Sequence, residues 1–350
     1  MKILYAGSIT PNDSTLYRMW ALQRLGHTLV PFNVLDFQPQ SQLARKIIFR
    51  LAAGPHINRM NRDLLHLAER EAVAAVWADK VLGMQPQTLN HLREKGVVSV
   101  SYMIDNAFGP RRDPGWRLYR KCLQLYDLHV TQREVSLQQY KRGGARDVMK
   151  IQTAYEPTIH FPPPPAWSDK DRNRGVSFIG TPYDQRAHFL TRLWKEAALP
   201  VIVSGASMWK AALGPEATEA IYRDGELFQS AYREAIWRSA INLSFLTHSN
   251  QDEFVHKSFE IAACQGFLLA ERSAGHSERF VEDEEAVFFS TFEECVEKIQ
   301  RYLPDEQARN RIAIAGCQRS RRSGYDNDHQ VSLIVERIQQ IARSRAATLR

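Results

Sequence analysis

The stretch Asn250-Gln251-Asp252-Glu253-Phe254-Val255-His256-Lys257-Ser258-Phe259-Glu260-Ile261-Ala262-Ala263-Cys264-Gln265-Gly266-Phe267-Leu268-Leu269-Ala270-Glu271 decides how the chain is read, because charged residues interrupt what otherwise has the composition of a core. It reads as a loop, a helix and a buried strand. The preceding run Ser239 to Phe245 is strand-like, and the polar segment Leu246 to Gln251 is a loop. A helix is expected to start near Asp252, with Asn250 and Asp252 accepting from its first N–H groups. Phe254, Phe259, Ile261, Ala262 and Cys264 supply an apolar side, and Gly266 suits the left-handed position that closes a helix. Phe267 to Ala270 is the short apolar run expected of a parallel strand covered on both faces. At 100° per residue, Glu253, Lys257 and Glu260 share the opposite face. Such a stripe is either solvated surface, with a Glu253–Lys257 pair contributing roughly 0.3 kcal/mol, or the wall of a ligand site. Its place at the carboxyl end of a strand, where α/β sheets put their ligands, favours the wall.

Working outward, strand and helix signals alternate along the whole chain. Lys2 to Gly7 is a strand, Leu16 to Leu25 a helix closed by Gly26, and Thr28 to Phe32 a second strand, which together make a βαβ unit. The loop after the first strand lacks G-x-G-x-x-G, so the dinucleotide fingerprint is absent, but Gly7 and Ser8 leave room for a ligand to approach the backbone. Strand-like runs recur at Ala72 to Trp77, Val97 to Met103, Asp127 to Thr131 and Asp147 to Ile151. Asp105 follows the fourth strand. Residues 41–71 read as two helices broken at Gly54-Pro55, combining Arg45, Lys46, Arg50, Arg59 and Arg62 with Ile47, Ile48, Phe49 and Leu51. Such a basic amphipathic segment either packs on the sheet or lies on an anionic membrane.

Pro162-Pro163-Pro164-Pro165 can enter neither a helix nor a central strand, and this spacer is the expected boundary between a domain of residues 1–165 and one of residues 166–325. The alternation then restarts with strands at Gly175 to Gly180 and Pro200 to Gly205. Helices are expected at Asp184 to Ala198 and Phe228 to Trp237. Beyond the opening stretch come a strand at Ala286 to Phe289 and helices from Phe292, Glu306 and Asp328. Two Rossmann-like, doubly wound α/β halves joined by a linker constitute the GT-B arrangement.

The length of 350 residues suits two such domains. No apolar run reaches the length of a membrane span and the first residues read as a strand, so a cytoplasmic protein is expected, with peripheral contact at the inner face of the membrane as the variant that residues 41–71 leave open. Cys122, Cys264, Cys295 and Cys317 show no CxxC pairing, which argues against a zinc site or a disulfide framework. Residues 1–165 carry 22 Lys and Arg against 13 Asp and Glu, whereas residues 166–350 carry 24 against 26. That basic excess fits solubility, an anionic acceptor or an anionic membrane; nucleic acid is disfavoured because no Arg and aromatic recognition motif accompanies it.

Several blocks of the chain resemble bacterial GT-B glycosyltransferases of the CgeB (spore maturation protein) type, relatives of the group with a Glu-x7-Glu signature. The blocks are Ser177-Phe178-Ile179-Gly180-Thr181-Pro182-Tyr183, Tyr232 to Leu243, Lys257 to Glu271, and Glu284 to Phe289. Two departures stand out: Asp252 occupies the place of the first signature acid, and Lys257 stands where relatives have Arg, which removes the bidentate fork. The resemblance implies transfer of a sugar from a nucleotide-sugar co-substrate to a glycan, a lipid-linked glycan or a protein, with retention and without a permanently bound cofactor. It implies donor binding by Gly180, Thr181, His248, Asn250, Lys257 and Glu260, with Glu260 on the ribose hydroxyls, Lys257 on the diphosphate and Asp252 near the sugar or phosphate. Gly7, Ser8 and Asp105 would face the acceptor, Asp105 as a base or orienting residue. The last helix, about residues 326–346, would pack back on the first domain. No Asp-x-Asp element marks a metal, so none is expected. Asp283-Glu284-Glu285 reads as a solvated turn.

Overall fold

Each half of the chain builds one wholly parallel sheet, because its strands are apolar runs that need cover on both faces. The computed structural model describes residues 1–109 and 114–348. By packing, the chain divides into a first unit of Met1–Gln152 with Asn327–Arg350 and a second unit of Thr153–Asp326. The four prolines thus lie within the second unit, behind its first residues. Residues 153–161 are held there: Tyr155 N donates to Tyr325 O at 3.1 Å, Arg233 donates to Ile159 O and Trp237 Nε1 to Phe161 O, both at 3.0 Å.

The first unit contains β1 (Lys2–Gly7), β2 (Thr28–Asn33), β3 (Ala75–Asp79), β4 (Val98–Tyr102), β5 (Leu128–Thr131) and β6 (Val148–Lys150), in the order β2-β1-β3-β4-β5-β6. Alternate residues of β1 face opposite cores. Leu4 and Ala6 pack with Met60, Leu64 and Leu89, while Ile3 and Tyr5 pack with Val331, Ile334, Val335 and Ile338 of the helix Asn327–Thr348. β3 runs two residues beyond the expected Trp77 to end at Asp79, whose buried carboxylate accepts from Arg18 and from Tyr5 Oη at 2.6 Å. That aspartate is a partner inside the fold.

The second unit contains β7 (Val176–Ile179), β8 (Val201–Ser204), β9 (Ile241–Ser244), β10 (Leu268–Glu271) and β11 (Val287–Phe289), in the order β11-β10-β9-β7-β8. Strand order reverses between β7 and β9, the switch point at which open α/β sheets leave a crevice at their carboxyl ends.

Four local expectations change. The helix of the deciding stretch spans His256–Ala263 and follows extended Val255, so neither Asn250 nor Asp252 caps it and Glu253 lies outside it. Instead, residues 248–250 form a 3-10 turn and Gln251 takes a left-handed φ of 55°. At the other end Gln265, at φ 54°, occupies the left-handed closing position, with Gln265 N donating to Ala262 O and Gly266 N to Ile261 O, both at 2.9 Å. Gly266 is needed for closeness: a Cβ there would stand 2.7 Å from Ile236 Cγ2. The helix Met208–Ile221 escapes the sequence pattern because Gly214-Pro215 kinks it. The acidic turn is not solvated throughout, since Asp283 accepts from Lys298 and Tyr302 while buried Glu285 accepts from Arg322.

Candidate active site

The switch point of the second unit assembles most of the residues that the sequence singles out there. β7 runs into Gly180, whose N–H donates to Ser204 O at 2.9 Å and whose carbonyl accepts from Trp209 Nε1 at 2.6 Å. These bonds fix the turn against β8. A Cβ on residue 180 would stand 2.9 Å from Lys257 Cε, so the absence of a side chain is what lets the lysine stem lie over this turn. Thr181 follows, half-buried, its carbonyl accepting from Arg186 at 3.1 Å.

Lys257 projects from the first turn of the helix His256–Ala263, and its Nζ lies 5.2 Å from the centre of the Tyr232 ring. Burial lowers the pKa of this ammonium; nearby Arg186 acts in the same direction and Glu260 opposes both. Tyr232 in turn donates to Glu260 Oε2 at 2.8 Å. Glu260 Oε1 faces His160 Nε2 at 4.0 Å. His160 Nδ1 accepts from the Glu156 N–H at 3.1 Å, which leaves the ring proton on Nε2, directed at the carboxylate. Burial pushes the Glu260 carboxyl upward, yet the pull of His160, Lys257 and His256 with the Tyr232 hydrogen bond outweighs it, so the group titrates below the ordinary glutamate value. A carboxylate kept ionised beside a partly desolvated ammonium suits a ligand with both hydroxyl donors and anionic oxygens.

The helix that carries both residues is anchored from beneath. Ser258 Oγ lies 3.0 Å from Ser244 Oγ at the end of β9 and 2.8 Å from His276 Nε2, and His276 Nδ1 is 2.8 Å from Glu271 O. Because that carbonyl only accepts, Nδ1 carries the imidazole proton and Nε2 accepts from Ser258.

The loops flanking the switch point are tied together by Arg186, which donates to Thr181 O, Leu246 O and Thr247 Oγ1. Sequence reasoning passed over this residue, although a cation in the first turn of the helix Arg186–Lys195 opposes the helix dipole and so needs a tertiary reason. It also passed over His160, which sits just ahead of the prolines, and gave Tyr232 no role. His248 lies in the 248–250 turn, its N–H donating to Asp184 at 3.0 Å and its Nε2 2.6 Å from Glu271 Oε1. Both line a cavity of about 130 Å³ with Arg186 and Phe245. Asn250 Nδ2 donates to Asp252 Oδ1 at 3.2 Å, which joins those two to each other.

Gly7, Ser8 and Asp105 belong to the first unit. Gly7 ends β1 where a Cβ would stand 2.8 Å from Thr15 Cγ2, so packing of the helix Thr15–Arg24 already accounts for glycine there. Ser8 hydrogen-bonds Asp13, and Asp105 is exposed beyond the end of β4. No group of His, Cys, Asp and Glu arranged to hold a metal occurs among the described residues.

Residues 185–336 match the family described as Glycosyl transferase-like. No curated protein sequence matches the chain. Among solved structures, sucrose-phosphate synthase from Thermosynechococcus elongatus is 11% identical, with a TM-score of 0.70 over 98% of this chain and 99% of that one. HepE of Anabaena, solved in complex with UDP-glucose, is 15% identical with a TM-score of 0.64 over 99% and 100%. The E. coli trehalose-6-phosphate structure bound with UDP-2-fluoro glucose is 13% identical with a TM-score of 0.65 over 97% and 99%. At such identities these likenesses concern the fold, which the two parallel sheets share. Together with the family match in the half that holds Lys257 and Glu260, they make this protein a glycosyltransferase of GT-B architecture.

Proposed function

We propose that the protein transfers a sugar from a nucleotide-sugar donor, held by the second unit, to a glycan, lipid-linked or protein acceptor, and that it is of the CgeB-like type. The observation that carries this reading is the Lys257–Tyr232–Glu260–His160 cluster beside the Gly180 turn at a topological switch point. Glu260 accepts from the ribose hydroxyls. Lys257 and the N-terminal end of its helix face the diphosphate, supplying oriented positive charge where the leaving group gathers negative charge. The bond from the anomeric carbon to the diphosphate breaks with its electron pair staying on the phosphate oxygen, and the acceptor oxygen bonds to that carbon. In the retaining course that the resemblance favours, a donor phosphate oxygen takes the acceptor proton; Asp105 orients the acceptor hydroxyl or takes that proton instead. Asp252, joined to Asn250, stands near the sugar or phosphate. Charge stabilisation by side chains and backbone gives a route without metal.

UDP-glucose is the first donor to test, since HepE was solved with it and the E. coli structure with its 2-fluoro analogue. Calorimetry against UDP-glucose and the GDP-, ADP-, CMP- and dTDP-sugars is expected to find one that binds, and Glu260→Ala and Lys257→Ala are each expected to weaken it about tenfold or more. Failure of all five to bind overturns the reading.

A further inference from the structure

The helix Gln42–Leu51 has no buried residue. Its two sides differ in what they meet. Ile48, Phe49 and Arg45 border a cavity of about 370 Å³ that Phe37, Ile57 and Met60 also line. On the other side Leu43, Ile47 and Leu51, spaced at i, i+4 and i+8, are 68%, 48% and 64% exposed. Lys46 and Arg50 lie along the edge of that aliphatic row, also exposed. Three large aliphatics in one row on a folded surface mark a contact that the isolated chain does not make.

Charge identifies the partner. From Phe37 to Arg62 the sequence contains no Asp or Glu, and Arg45, Lys46, Arg50, Arg59 and Arg62 are all cationic. A second copy docked face to face would bring two such acid-free segments together, and their repulsion opposes that dimer. A neutral apolar partner would leave the cations unused. We propose that the helix Gln42–Leu51 lies in the plane of an anionic lipid surface, with Leu43, Ile47 and Leu51 among the upper acyl chains and Lys46 and Arg50 reaching lipid phosphates. The cavity behind the helix then opens beside the bilayer.

The test is sedimentation of the full chain with vesicles of phosphatidylcholine alone and with about one third phosphatidylglycerol. Binding is expected only to the anionic vesicles and is expected to fall as salt rises. Ile47→Glu and Leu51→Glu lie off the cavity and are expected to weaken binding about tenfold or more each, while Lys46→Ala and Arg50→Ala weaken it about fivefold each. Unchanged thermal melting of the four variants separates lost binding from lost fold, and unchanged affinity for whichever nucleotide-sugar binds separates this result from any failure of the donor reading. The proposal is overturned if wild type stays in the supernatant with anionic vesicles, or if the aliphatic variants bind as wild type does. It is likewise overturned if Ile47→Glu abolishes a concentration-dependent dimer, or if the segment retains RNA with no dependence on Ile47.

Discussion

Lys257 is the residue whose charge the site treats least kindly. Its stem lies over the Gly180 turn and its ammonium is desolvated beside Tyr232, so its pKa is below the lysine norm. A lysine is cationic below its pKa, and a depressed value moves the loss of charge towards neutral pH. Donor affinity is therefore expected to fall as pH rises from 7 to 10, earlier than an ordinary surface lysine would allow, and Lys257→Arg is expected to flatten that fall in calorimetric titrations. His276 and His129 make the opposite test. Burial pushes each down to about 4, and both are neutral in the folded protein. Between pH 6.5 and 4 the unfolded chain holds more protons than the folded one, so stability is complete above pH 6.5 and drains as pH falls through that window. The loss is on the order of 3 kcal/mol for each histidine. Melting temperature followed over that range is expected to drop, and His276→Asn to make the drop shallower.

At the scale of elements, the strands were legible because a strand covered on both faces must be apolar throughout, and each predicted run contains an observed strand or overlaps one. Helix ends were less legible. The charge stripe places Glu260 and Lys257 on one helix correctly, but the start at Asp252 fails because Gln251 turns left-handed and Val255 stays extended under tertiary constraint. Arg186 and His160 were hidden for a related reason: their partners lie on segments far away in sequence, and no periodicity reports such contacts. Gly266 shows a residue noticed for the wrong cause. Since its role is close packing against Ile236 and Asn242, Gly266→Ala is expected to destabilise the second unit by about 1–3 kcal/mol in denaturant unfolding. The converse change, Gln265→Gly, relieves a left-handed side chain and is expected to be neutral or mildly stabilising.

For the whole molecule, the decisive feature is that the chain leaves its first unit at Gln152 and returns to it at Asn327. Val331, Ile334, Val335 and Ile338 complete the core on the Ile3 and Tyr5 face. At about 1.5–3 kcal/mol per buried aliphatic side chain, these four together match the whole stability of an ordinary domain. A chain ended after Asp326 is therefore expected to lose hydrogen-exchange protection throughout β1, β3 and β4 while β7, β9 and β10 keep theirs.

The same return has a consequence during synthesis. A ribosome working at roughly 5–20 residues per second spends on the order of ten seconds or more on the residues between Gln152 and Asn327. Throughout that interval the nascent first sheet has Ile3, Tyr5 and Val100 without their cover. The first unit is thus begun before the second and completed after it, and the emerging chain presents a sticky face to chaperones until the helix Asn327–Thr348 clears the exit tunnel.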